Sequence, residues 1–150
     1  MCVRIVQSVV NPWYTLASTN YGRAYMHYLP SWEPTPPVLE PVVRTKITEL
    51  LEAVGFNVWW IEQSSDRKRS RGRRTVGVPD IYAVHASRPV MVWIECKGIG
   101  SGHEATDEQL RFRERIVAAG WQCVIGHNNM ESKGGYTEVC EALKAWGICK

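Results

Sequence analysis

Hydrophobic and polar positions alternate in two registers along the chain. Val43, Ile47, Leu50, Leu51 and Val54 recur at helical spacing and Gly55 follows as a stop, which predicts a helix from about Pro41 to Val54, with proline suited to its first turn. Phe56-Asn57-Val58-Trp59-Trp60-Ile61 is β-branched and aromatic and reads as a strand. Two more apolar runs, Gly77 to Val84 and Val90 to Lys97, read as adjacent strands joined by His85-Ala86-Ser87-Arg88-Pro89. Thr106 to Ala119 is a second amphipathic helix, Trp121 to Gly126 a further strand, and Thr137 to Trp146 a final short helix. Helix, three strands, helix, strand, helix packs naturally as a small mixed β-sheet flanked by helices, an α/β domain.

Residues 1–38 break this pattern. They carry Trp13, Trp32, four of the six tyrosines and five prolines, but only Arg4, Arg23 and Glu33 as charges. They read as an extended or irregular arm that packs aromatics on the main domain, residues 39–150, or on a partner. At 150 residues the chain has room for one core that needs neither disulfides nor a structural metal. The five cysteines are odd in number, widely spaced and without a CxxC pair, which excludes a disulfide framework and a zinc ribbon. Cys123 and His127 have a spacing that would suit a metal on a helix, but they fall on an expected strand and turn, where buried thiols pack as small hydrophobes. The longest apolar stretch, Pro89 to Ile94, is too short to cross a bilayer, and Arg4 and Gln7 interrupt the N-terminal run, so the expected location is the cytosol, without a membrane partner.

Charge changes the picture more than composition does. From Asp66 to Arg74 the sequence is DRKRSRGRR, six basic residues against one acidic, so this segment alone carries +5 and the remainder −2. A segment without apolar periodicity that gathers the positive excess is a loop fit to meet a polyanion, with a phosphate backbone the obvious candidate; a solvated basic loop that merely aids solubility has the same composition.

The acids sort by strand periodicity. Glu95 and Lys97 are two apart at the end of the most hydrophobic run and project from one face. Asp80 follows Pro79, which cannot donate to a ladder and signals an edge, bulge or kink. Two acids and one base on neighbouring strands can hold a divalent cation against a phosphate; they can also be a turn residue and an exposed ion pair.

Gly77-Val78-Pro79-Asp80, fourteen residues, then Glu95-Cys96-Lys97 resembles the PD-(D/E)XK nuclease signature. The helix before a VW-containing strand, and Thr106-Asp107-Glu108-Gln109 leading to Phe112 and Ala119-Gly120, resemble more narrowly its VRR-NUC branch, over about Glu40 to Asn128. The resemblance implies a restriction endonuclease-like core. It implies a metal-dependent DNA endonuclease, phage- or bacterium-encoded, acting on junctions or other branched DNA. It assigns Asp80 and Glu95 to Mg²⁺ or Mn²⁺ and Lys97 to the attacking water and the transition state. It also implies a Glu on the first helix that completes the metal site. Glu40, which shares the stripe of Val43, Ile47, Leu50 and Val54, fits better than Glu49, although an acid there also suits the helix dipole. The resemblance brings Gln109 to the active site, whereas Thr106-x-x-Gln109 is equally a capping box. Cys96 in place of an aliphatic residue, Thr106 in place of Ser, and the aromatic arm depart from the family pattern.

The expected partner is therefore DNA, tracked by Arg67, Lys68, Arg69, Arg71, Arg73 and Arg74 without sequence readout. Cutting both strands with one compact site requires a homodimer or sequential nicking. The alternatives are a non-catalytic nucleic-acid-binding module of the same fold, using the basic loop with Trp59 and Trp60, and a protein-interaction adaptor that docks through its arm.

Overall fold

A computed structural model describes residues 5–7, 31–61 and 77–149. The basic run 66–74 and most of the arm lie outside the described residues. Five strands form one sheet in the order β1 (Ile5–Gln7), β2 (Phe56–Ile61), β3 (Ile81–His85), β4 (Met91–Glu95) and β5 (Gln122–Ile125). The first four run antiparallel to their neighbours and β5 runs parallel to β4, across the connection that carries α2 (Asp107–Ala118). The sheet is thus mixed and flanked by helices, as the hydrophobic pattern predicts, with β1 as an added edge strand from the arm.

Register sorts the two faces of the sheet. Val58 pairs with Ala83, Ala83 with Val92, and Ile81 with Ile94, so these side chains share one face. On it lie α1 (Glu40–Ala53), through Val43, Ile47, Leu50 and Leu51, and α3 (Tyr136–Ala145), through Tyr136, Val139 and Leu143. Gly55, at φ +94°, takes the left-handed conformation that turns the chain out of α1 into β2. The other face carries an aromatic row, Trp59–Tyr82–Trp93, which Phe112 of α2 extends at 5.4 Å from Trp93. α2 lies shallowly there: Gln109 is its one buried residue, and Phe112 and Ile116 are half-buried.

Two strands are shorter than the sequence predicts, for one reason. β3 starts at Ile81 rather than Gly77, and β4 stops at Glu95 rather than Lys97. The Asp80 carboxylate takes the Cys96 N–H, at 2.9 Å, that a continued ladder would have used. The Lys97 N–H turns instead to the carbonyl of Gly134, at 3.1 Å, in a 3₁₀ turn over 133–135 ahead of α3. Residues 31–38 pack against this side of the domain. Val38 bridges Ile99, Trp32 meets Tyr136 edge-on at 5.4 Å, and Lys133 donates to the Trp32 carbonyl and to Glu33, each at 2.8 Å.

Candidate active site

Where β3 begins and β4 ends, the first turns of α1 and α2 approach from opposite faces of the sheet. Among the described residues, Asp80, Glu95 and Lys97 are the only charged residues that are buried, and all three stand here. An unpaired charge in such a place is strongly disfavoured, so the pairing carries the information. Lys97 Nζ donates to Glu95 Oε1 at 2.7 Å and to Gln109 Oε1 at 3.1 Å. Gln109 Nε2 donates in turn to Glu95 Oε1.

Gln109 both caps α2 and touches the charged cluster. Its Oε1 accepts from the Thr106 N–H at 2.9 Å, while its own N–H donates to Thr106 Oγ1 at 3.4 Å, which closes a capping box. Capping therefore fixes the rotamer that delivers the amide to Glu95 and Lys97. One side chain ties the N-terminus of α2 to the charged cluster.

On the α1 side, Asp80 Oδ1 accepts from Arg44 Nη2 at 3.1 Å, and the same Nη2 donates to Glu40 Oε1 at 3.1 Å. Glu40, placed by its hydrophobic stripe, is half-exposed and reaches the cluster through Arg44. Arg44 was not a candidate from sequence. Its one signal there is the i, i+4 spacing from Glu40. The guanidinium carbon sits 5.7 Å from the centre of the Trp60 ring, and Trp60 Nε1 is held by Thr48 Oγ1 at 2.8 Å.

Electrostatics show that the acids sense one another. Burial foremost, and then the neighbouring Asp80 charge, push the Glu95 carboxyl up to about 7, against the pull of Lys97. Burial also raises Asp80, while Arg44 and the Cys96 amide pull it back. Glu95 Oε2 is buried without a hydrogen-bond partner. Two interacting carboxylates with a buried, unpartnered oxygen are short of positive charge, the condition a divalent cation relieves.

Asp80 and Glu95 are the two acids here that could hold such an ion. Among the described residues no three His, Cys, Asp or Glu side chains lie close enough together to form a cage. Mg²⁺ commonly needs only one or two carboxylates, with water and substrate oxygens completing its shell. Cys123 and Cys96 are buried free thiols, both raised by burial, which agrees with their reading as small hydrophobes. No helix among the described residues is long and apolar enough to cross a membrane.

The six basic candidates from Arg67 to Arg74 lie outside the described residues, but the described ends that flank them do not. The Ile61 N–H donates to the Asp80 carbonyl at 2.7 Å. At Gly77 an added Cβ would stand 2.4 Å from the Glu108 carbonyl oxygen, so the returning chain presses against the first turn of α2. The described residues that flank 62–76, Ile61 and Gly77, therefore both stand beside the cluster.

No protein-family model and no curated protein matches the chain. Among solved structures, a VRR_NUC domain is similar at 23% sequence identity with a TM-score of 0.50, covering 71% of this chain and 96% of that one. The chain has the fold of that domain, the restriction endonuclease-like α/β arrangement implied by its GVPD and ECK motifs.

Proposed function

We propose that this chain belongs to the VRR-NUC family and acts as a divalent-metal-dependent DNA endonuclease. The observation that carries the proposal is the burial of Asp80, Glu95 and Lys97 together, where β3 begins and β4 ends, with one Glu95 oxygen left unpaired. A fold needs no such cluster for stability, because a buried ion pair is worth little or nothing against well-packed apolar side chains. Phosphodiester hydrolysis does need it.

Asp80 and Glu95 would hold Mg²⁺ or Mn²⁺, which when bound supplies charge neutralisation at the phosphoryl oxygens and lowers the pKa of water. Lys97, an ammonium with three donors, has Glu95 and Gln109 on two of them and a third left for an attacking water or a phosphoryl oxygen. Gln109 keeps Lys97 and Glu95 in register. The basic run, which lies in sequence between Ile61 and Gly77, would bind the DNA backbone, and a junction or other branched substrate would present phosphates to site and run together.

A panel of linear, nicked, flapped and four-way-junction DNAs tests this reading with Mg²⁺, Mn²⁺ and chelator, each run beside Lys97→Ala. The wild type should cut at least one substrate with either ion and none with chelator. Lys97→Ala should bind the same DNA without cutting it. Binding without cleavage by the wild type would assign the fold a non-catalytic, nucleic-acid-binding role.

A further inference from the structure

Arg44 occupies the place where positive charge is most wanted, yet it is held there loosely. A single nitrogen, Nη2, serves both Glu40 and Asp80 at 3.1 Å. An arginine committed to a carboxylate usually presents two parallel N–H groups. Its Nε is buried with no acceptor. The Arg44 side chain is about one-fifth exposed and its guanidinium already leans over the ring of Trp60, which is fixed through Thr48 and partly open to solvent. The cation thus has a second seat within reach, an aromatic face that holds it without a carboxylate.

We propose that Arg44 is a resident counter-ion of the acidic site: it neutralises Asp80 until a divalent cation takes its place, and then moves onto Trp60. The proposal rests on the metal-dependent reading above and adds a competition between a side chain and the ion. Two consequences follow. Divalent affinity is weakened by the contact that must be broken, and by the repulsion between two cations near one carboxylate. Ion binding also becomes visible at Trp60, because the guanidinium approaches its ring.

The test titrates the full chain with Mg²⁺ and with Mn²⁺ in a calorimeter, without nucleic acid, as wild type, Arg44→Gln and Arg44→Lys, with folding verified by circular dichroism. Arg44→Gln should bind either ion about tenfold more tightly than wild type, and Arg44→Lys should fall between them. Tryptophan fluorescence followed in the same titrations should change in the wild type and lose that change in Trp60→Phe and in Arg44→Gln. Equal or weaker ion binding by Arg44→Gln would make Arg44 a buttress that orients Asp80 and would overturn the proposal while leaving the nuclease reading intact. A wild type and variants that all fail to bind either ion would overturn both.

Discussion

Replacing Gln109 separates helix capping from contact with the charged cluster, because its side chain makes both sets of bonds. Thr106→Ala removes the hydroxyl that accepts from the Gln109 N–H at a long 3.4 Å and leaves the Gln109 amide where it is. Such a cap is worth about 1 kcal/mol, or roughly 2–4 °C in Tm at this chain length. Gln109→Ala removes the acceptor for the Thr106 N–H, the second acceptor of Lys97 and the donor to Glu95 Oε1. Two of these bonds involve charged, buried partners, each worth about 1.5–3 kcal/mol, so the loss should be about 3–6 kcal/mol and roughly 10 °C or more. Thr106→Ala should keep near wild-type nicking, whereas Gln109→Ala should lose at least about tenfold, since Lys97 and Glu95 are no longer held in register. Gln109→Glu preserves both acceptor roles but sets a second carboxylate against Glu95, so it should recover the cap without the activity. Thermal melts and initial nicking rates measure these effects. Equal stability and equal activity for the Thr106 and Gln109 variants would refute the dual role and leave Gln109 a cap alone.

Because burial and Asp80 raise Glu95 from an ordinary 4.5 to about 7, protons compete with the divalent ion. The Mg²⁺ concentration that half-saturates the Mg²⁺-induced rise in Tm should fall about tenfold per pH unit up to pH 7 and level off above; a flat profile would contradict the coupling. In ion-free protein the folded state holds the extra proton between 4.5 and about 7, so the Glu95 contribution to stability declines as pH rises through that window. Gly134, at φ +70° with an added Cβ 2.1 Å from the Lys97 carbonyl oxygen, should tolerate no side chain. Gly134→Ala should cost more than about 3 kcal/mol in chemical denaturation, against about 1 kcal/mol for Gly102→Ala, which has a similar φ in open space. Replacing the six cations from Arg67 to Arg74 with Gln should flatten the dependence of log K for DNA on log salt by up to about 5, and an unchanged slope would remove the run from the interface.

The pattern of apolar residues was sufficient for the sheet and its helices because one face of each element is buried. The helix expected from Pro41 to Val54 is α1, Glu40–Ala53, and each expected strand has a counterpart within a few residues. The convergence of Asp80, Glu95 and Lys97 was legible for the same reason: spacing by two put Glu95 and Lys97 together, and proline placed Asp80 at a strand's start. Arg44 was not, because an arginine one residue after a core valine looks like any solvated helix position until the sheet brings Asp80 opposite it. Nor could spacing choose between the two roles of Gln109, since capping and reaching Lys97 require the same rotamer. The shortening of β3 and β4 depends on a carboxylate intercepting the Cys96 N–H, a tertiary contact with no sequence period.

The most direct test of the metal-centred cluster is nicking of supercoiled plasmid by the wild type, Asp80→Asn, Glu95→Gln and Lys97→Met in Mg²⁺, with DNA binding measured on the same preparations. Wild-type protein should open the circle, and each variant should lose at least about a hundredfold in rate while binding DNA at wild-type affinity. Persistent, chelator-sensitive nicking by all three folded variants would place the chemistry elsewhere and contradict the account.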